Sequence, residues 1–205
     1  MLVADEVCEV LDLDRILFVP AAEPPHKSPF DLAPAADRFR MTALAVREHP
    51  RFEVSDIEMS RPGPSYTVDT LATLRSLGDL HLLIGSETFL DLLSWRDPHG
   101  VVRLARLVVV PRSSAGFASQ GSAARTVLTT LDLPDFVHPG CAADGEIHSA
   151  ANGRPLAPLL VHAASLPISA SDLRQRAREH RSLAYRLPGS VAAYIEEHAL
   201  YRGEV

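Results

Sequence analysis

Short apolar runs alternate with stretches of helical periodicity along the whole chain, and no hairpin signal joins any two of the runs. Arg15–Val19 (RILFV), Leu80–Ile84 (LHLLI), Leu107–Val110 (LVVV) and Leu156–His162 read as buried strands, and Phe52–Met59 alternates as a strand does. Strands that are not joined by hairpins must return through long crossovers, usually helices, which aligns them in parallel. The pattern predicts an α/β fold with a parallel sheet.

The intervening helices are expected at 2–12, where Val3, Val7, Val10 and Leu11 share a face, and at about 34–48, with Pro34 in its first turn. Others are expected at 67–77, stopped by Gly78, from a Ser86 cap to about Trp95, at 97–104, 170–180 and 190–198. Arg61-Pro62-Gly63-Pro64 is a turn and 20–33 a Pro- and Ala-rich loop. Residues 113–155 are rich in Ser, Ala and Gly, with weak periodicity and a helix at 122–131; they read as a variable or inserted segment. The 205 residues form a single domain on this reading, closed by C-terminal helices over 169–205.

Charge and cysteine content narrow the function. A net charge of −6 argues against a general nucleic-acid binder. Cys8 and Cys141 build no disulfide framework, and Cys8 falls beside the apolar face of the first helix, where packing explains it. No apolar run approaches the ~20 residues of a membrane span. Asp5, Glu6 and Glu9 stand where a secretory signal would be basic and apolar, so a cytoplasmic location is expected. Homo-oligomerisation is left open. The basic residues are 19 Arg and a single lysine, Lys27, inside Pro24-Pro25-His26-Lys27. An ammonium kept once among guanidiniums suggests a specific role.

The common nucleotide and nucleophile motifs G-x-G-x-x-G, G-x-x-x-x-G-K-[ST] and G-x-S-x-G are absent, as is zinc-ligand spacing. Four polar clusters instead lie directly after strands: Pro24–Lys27, Gly85-Ser86-Glu87, Pro111-Arg112 and Ser169–Arg174. Ligands of parallel sheets bind beyond the C-terminal strand ends, so these clusters are expected to converge. Ser169 and Ser171 flank a helix start, and Arg174 comes three residues after Ser171 on the same face. Hydroxyls, free amides and a guanidinium suit a phosphate. The same spacing is also that of a Ser-capped helix with an exposed Arg. Trp95 offers a face for stacking a heteroaromatic ring, although a lone Trp also serves as core.

These residues carry a resemblance. Phe18-Val19-Pro20 with Pro24-Pro25-His26-Lys27, Glu58 and Arg61 with Ser65-Tyr66-Thr67-x-Asp69-Thr70-Leu71, Ile84-Gly85 with Trp95-Arg96, and Ile168-Ser169-x-Ser171-x-x-Arg174 resemble bacterial nicotinate-nucleotide adenylyltransferases. The likeness runs the length of the chain and is weakest over 113–155. It implies a Rossmann-like nucleotidyltransferase fold and transfer of AMP from ATP, with Mg²⁺, to nicotinate mononucleotide, giving deamido-NAD and pyrophosphate in NAD biosynthesis. On this likeness Ser169, Ser171 and Arg174 would hold the ATP phosphates, with Gly85 and Glu87 near the adenosine ribose. Tyr66, Thr67 and Trp95 would line the nicotinate pocket, while Lys27 and Arg112 would neutralise phosphate charge.

Two departures stand out. Glu87 occupies a position where the family usually has Asp, one methylene shorter. The family also opens with a strand and G-x-F-x-P-x-H-x-G-H, whose histidines contact the transferring phosphates, and this chain contains no such motif. Met1-Leu2-Val3-Ala4 resembles the segment immediately after that motif, so the expectation is a start recorded downstream of the true one, with a central strand lost and catalysis weakened. Two other readings stay open: another adenylyltransferase of the superfamily, such as one acting on phosphopantetheine, and a noncatalytic nucleotide-binding domain.

Overall fold

A computed structural model of the chain describes residues 1–25, 32–111, 117–141, 154–164 and 167–202. The described elements are α1 (Leu2–Val10), β1 (Ile16–Phe18), α2 (Ala35–Val46), β2 (Phe52–Val54), α3 (Thr67–Leu74), β3 (His81–Gly85), α4 (Ser86–Leu90), α5 (Pro98–Leu104), β4 (Arg106–Val110), α6 (Ser122–Thr130), β5 (Leu159–Leu160), α7 (Ala170–Arg178) and α8 (Gly189–Glu197). Every strand pairing among them is parallel, as the absence of hairpin signals requires. The pairings form two ladders, β1–β2 and β3–β4–β5, where the sequence suggested one sheet.

Two compact units contain these ladders. The larger comprises Leu2–Leu13 and Tyr66–Ser165. Its centre is β4, buried along its whole length. Leu107 and Val109 point into a cluster with Phe89, Leu92, Val101, Val127 and Leu131. Val108 and Val110 point the other way, onto Val7 and Leu11 of the α1 segment and Leu159 of β5. Successive strand residues face opposite sides, so a strand covered on both faces reads as an unbroken apolar run. The β4 sequence, RLVVV, is such a run after its first residue. Arg106 is buried and spends its Nε–H on the Ala157 carbonyl at 2.8 Å, which anchors the approach to β5.

The other unit comprises Asp14–Ser65 and Leu166–Val205 with Met1. Phe18 and Phe52 meet edge to face across the β1–β2 ladder, ring centroids 5.1 Å apart. Ala177 of α7, Leu183, and Val191 and Ile195 of α8 form a second small core, packed against Met41, Leu44 and Ala45 of α2.

Several expected elements are shorter than their sequence pattern. β2 stops at Val54, not Met59. After the Ser55 N–H donates to the Phe18 carbonyl at 2.9 Å, the chain turns, with Met59 and Ser60 both bonding back to Asp56. β5 has two residues because Pro155 and Pro158 contribute no ladder donors. The helix expected from Ser86 to Trp95 is α4 followed by a separate 3₁₀ turn over Leu92–Ser94. Gly85 occupies the N-cap position, and Ser86 is buried as the first helical residue instead of capping. Within the weakly periodic 113–155 stretch, α6 puts Ala124, Val127 and Leu128 into the main core.

Candidate active site

Ser169 caps α7, with its Oγ accepting from the Asp172 amide at 3.0 Å. That bond fixes the first turn and leaves the hydroxyl proton and the other end-of-helix amides directed outward. Ser171 and Arg174 lie on one face, since Arg174 Nη2 donates to Ser171 Oγ at 3.2 Å. Tyr201, half-buried in the same unit, lies in the field of Arg174, Arg38 and Asp37. Burial raises its pKa, the two guanidiniums pull it down, and Asp37 raises it. A hydroxyl pair, free amides and an arginine fork are therefore presented together, the equipment for an anionic oxygen cluster.

The second set lies in the larger unit. Tyr66 stands at the N-cap position of α3 and Thr67 is its first residue. The Arg96 guanidinium carbon sits 4.4 Å from the Tyr66 ring centroid, a cation–π contact that brings the start of α3 to the Trp95–Arg96 segment. Trp95 is partly buried and packs against the main core. Next to it, Asp97 in a left-handed conformation caps α5, accepting from the Gly100 amide at 2.9 Å. Gly100 leaves room there: a Cβ would press on the Asp97 carboxylate and come within 2.9 Å of Val68 Cγ2, so those side chains would have to shift. With α5 packed against α3, Arg96 lies over the Tyr66 ring, next to Thr67 at the start of α3 and to Trp95 along the chain. Sequence reasoning assigned no role to Arg96, and only its position after Trp95 hinted at one.

Gly85 ends β3 and Glu87 is exposed in the first turn of α4, at the C-terminal edge of the β3–β4–β5 ladder. Lys27 and Arg112 lie outside the described residues. Ser169, Ser171 and Arg174 belong to one unit, and Tyr66, Thr67, Gly85, Glu87 and Trp95 to the other. Among the described residues no group of three or more His, Cys, Asp or Glu side chains is arranged to hold a metal ion, and no helix is long and apolar enough to cross a membrane.

Comparison with known proteins decides the family. A sequence model of the cytidylyltransferase-like family matches residues 1–176. A protein of Thermus thermophilus named "Probable nicotinate-nucleotide adenylyltransferase" is 39% identical over 205 residues, covering 98% of this chain and 91% of its own. The chain belongs to the nicotinate-nucleotide adenylyltransferase family. A relative of the same name from Roseiflexus sp. is 40% identical over 202 residues, covering 98% of this chain and 89% of its own. The fold is also that of a Plasmodium falciparum nicotinic acid mononucleotide adenylyltransferase complexed with APC, at TM-score 0.65 and 15% identity over 97% of this chain and 88% of that one.

Proposed function

We propose that this chain transfers the adenylyl group of ATP to nicotinate mononucleotide. A phosphate oxygen of the mononucleotide attacks the α-phosphorus, the bond to the bridging oxygen breaks, and pyrophosphate leaves with that electron pair, giving deamido-NAD. The observation that carries the acceptor is Arg96 over the Tyr66 ring beside Trp95: an aromatic and cationic corner suited to a pyridine ring bearing a carboxylate.

The roles are those that the family resemblance implies. Ser169, Ser171 and Arg174 bind the ATP phosphates, and Gly85 and Glu87 meet the adenosine ribose. Tyr66, Thr67 and Trp95 take the pyridine ring, while Lys27 and Arg112 neutralise the acceptor phosphate. Adenylyl transfer needs positioning and charge stabilisation with no covalent step by the protein. Magnesium, on this reading, travels with ATP, held by phosphate oxygens and water as this ion usually is. A cytoplasmic location accords with such substrates.

The test uses the chain's single tryptophan. Nicotinate mononucleotide is expected to quench Trp95 fluorescence, and ATP with Mg²⁺ and nicotinate mononucleotide to yield deamido-NAD and pyrophosphate in equal amounts. Phosphopantetheine should not replace the acceptor. Binding of both substrates with no product would favour the noncatalytic reading, and absence of both binding and product would sink the assignment.

A further inference from the structure

Nine histidines are scattered along the sequence, and folding pairs two of them at the outer edge of the β3–β4–β5 ladder. The rings of His138 and His162 are nearly parallel, 6° apart in plane, with centroids 6.0 Å from each other. Both side chains are exposed, and neither ring makes a hydrogen bond to another described residue. Rings that stack face to face in this protein are much closer, at 3.6 Å for His49 and Phe52 and 3.9 Å for Tyr194 and His198.

The backbone fixes this pair. Val137 bridges to Leu159 in parallel; its amide donates to the Pro158 carbonyl and its carbonyl accepts from the Leu160 amide, both at 2.9 Å. The Val161 amide donates to the Val109 carbonyl at 3.0 Å. Val137 and Val161 both turn into the cluster on the α1 side of the ladder. Successive residues of extended chain face opposite ways, so His138 and His162, each one position further on, share the other face. They stand three and two ladder positions from β3, about 14 and 10 Å at the spacing of neighbouring strands, which separates them from Gly85.

The spacing has a chemical reading. An imidazole nitrogen stands ~2.0–2.1 Å from a bound zinc ion, so two imidazoles sharing one ion have ring centres about 5–6.5 Å apart, depending on the angle at the metal. The observed separation falls inside that window. Imidazole suits zinc, copper and nickel, whereas calcium and magnesium take oxygen ligands. Among the described residues no third His, Cys, Asp or Glu joins the pair, so water completes the coordination.

We propose that His138 and His162 form a two-imidazole site for a late first-row divalent ion, with zinc, nickel and copper as the class. The ion is distinct from any magnesium that accompanies ATP.

The test titrates the full chain, stripped by a chelator, with Zn²⁺ in a calorimeter under excess Mg²⁺. One equivalent is expected to bind, since magnesium does not compete for imidazole. His138→Gln and His162→Gln should each lose that equivalent, while His180→Gln, at an exposed histidine beyond α7, should keep it. Both rings are exposed, so the urea midpoints of the two variants should match the wild type. With Cu²⁺, pulsed EPR of the wild type should count two coordinated imidazoles. No bound Zn²⁺ in the wild type overturns the site, and so does an equivalent that survives either single substitution. A count of one imidazole on Cu²⁺ overturns it too, and that count decides the matter even if a substitution disturbs folding. None of these measurements involves adenylyl transfer, so the site stands or falls independently of the function proposed above.

Discussion

Arg174 donates to the Ser171 hydroxyl at 3.2 Å, one turn along the same face of α7. The bond orients the guanidinium towards the helix start, where its remaining N–H groups are available to an anion. Arg174→Ala is expected to weaken ATP binding by about ten- to a hundredfold, since hydrogen bonds to charged groups contribute ~1.5–3 kcal/mol. Ser171→Ala should cost less, because the arginine stays but loses its guide. Titration calorimetry with ATP checks both, and an unchanged Kd in Arg174→Ala would remove the phosphate role.

Ser169 does a different job one residue before α7. Its Oγ satisfies the Asp172 amide, so Ser169→Ala should lower folding stability by ~1 kcal/mol, the usual loss of an N-cap. Ser171 caps nothing, and its alanine variant should stay within about 0.5 kcal/mol of wild type. Urea midpoints separate the two. Equal destabilisation would mean that the cap is not what holds this end of the helix.

The Trp95–Arg96 corner predicts a split between substrates. Trp95→Ala is expected to weaken nicotinate mononucleotide binding by about tenfold while sparing ATP, in line with ~1–3 kcal/mol for stacking on an aromatic face. Arg96→Gln removes the cation from the Tyr66 ring, a contact of ~0.5–1 kcal/mol at an exposed position, and should give a smaller effect of the same selectivity. Equal losses for the two nucleotides would argue against a pyridine site here.

A stability effect at alkaline pH arises from Tyr194. Its phenol donates to Asp37 at 2.8 Å, and this bond holds its pKa above the ordinary value near 10. The protonated phenol is the donating form. The contribution is therefore complete below the unfolded-state pKa and is lost as pH rises through the higher folded-state value. Denaturant midpoints measured above about pH 10 should fall more steeply for the wild type than for Tyr194→Phe, which has nothing to lose. Parallel slopes would show that the Asp37 bond does not set the titration.

Local pattern was enough to read the class of fold. The all-apolar run at Leu107–Val110 reads as a buried strand, and the Ser169, Ser171 and Arg174 spacing is also that of a Ser-capped helix. Strand and helix periodicities and cap chemistry act between residues a few positions apart, so they are visible without knowing what lies opposite. The same is true of the family likeness, which is carried by short contiguous motifs.

Other features have no local signature. Nothing in residues 55–59 announces that β2 ends at Val54; its ladder partner β1 stops at Phe18, and the chain turns where pairing ends. Weak periodicity hid the contribution of α6 to the core, where Ala124, Val127 and Leu128 join Phe89 and Leu92 from elsewhere in the chain. Arg38 and Arg106 look like two of 19 similar arginines until the carbonyls of Ala21, Ala22, Ala33 and Ala157 are set around them. A hydrogen bond or a buried contact exists only when both partners arrive, and folding alone brings together groups that lie far apart along the chain.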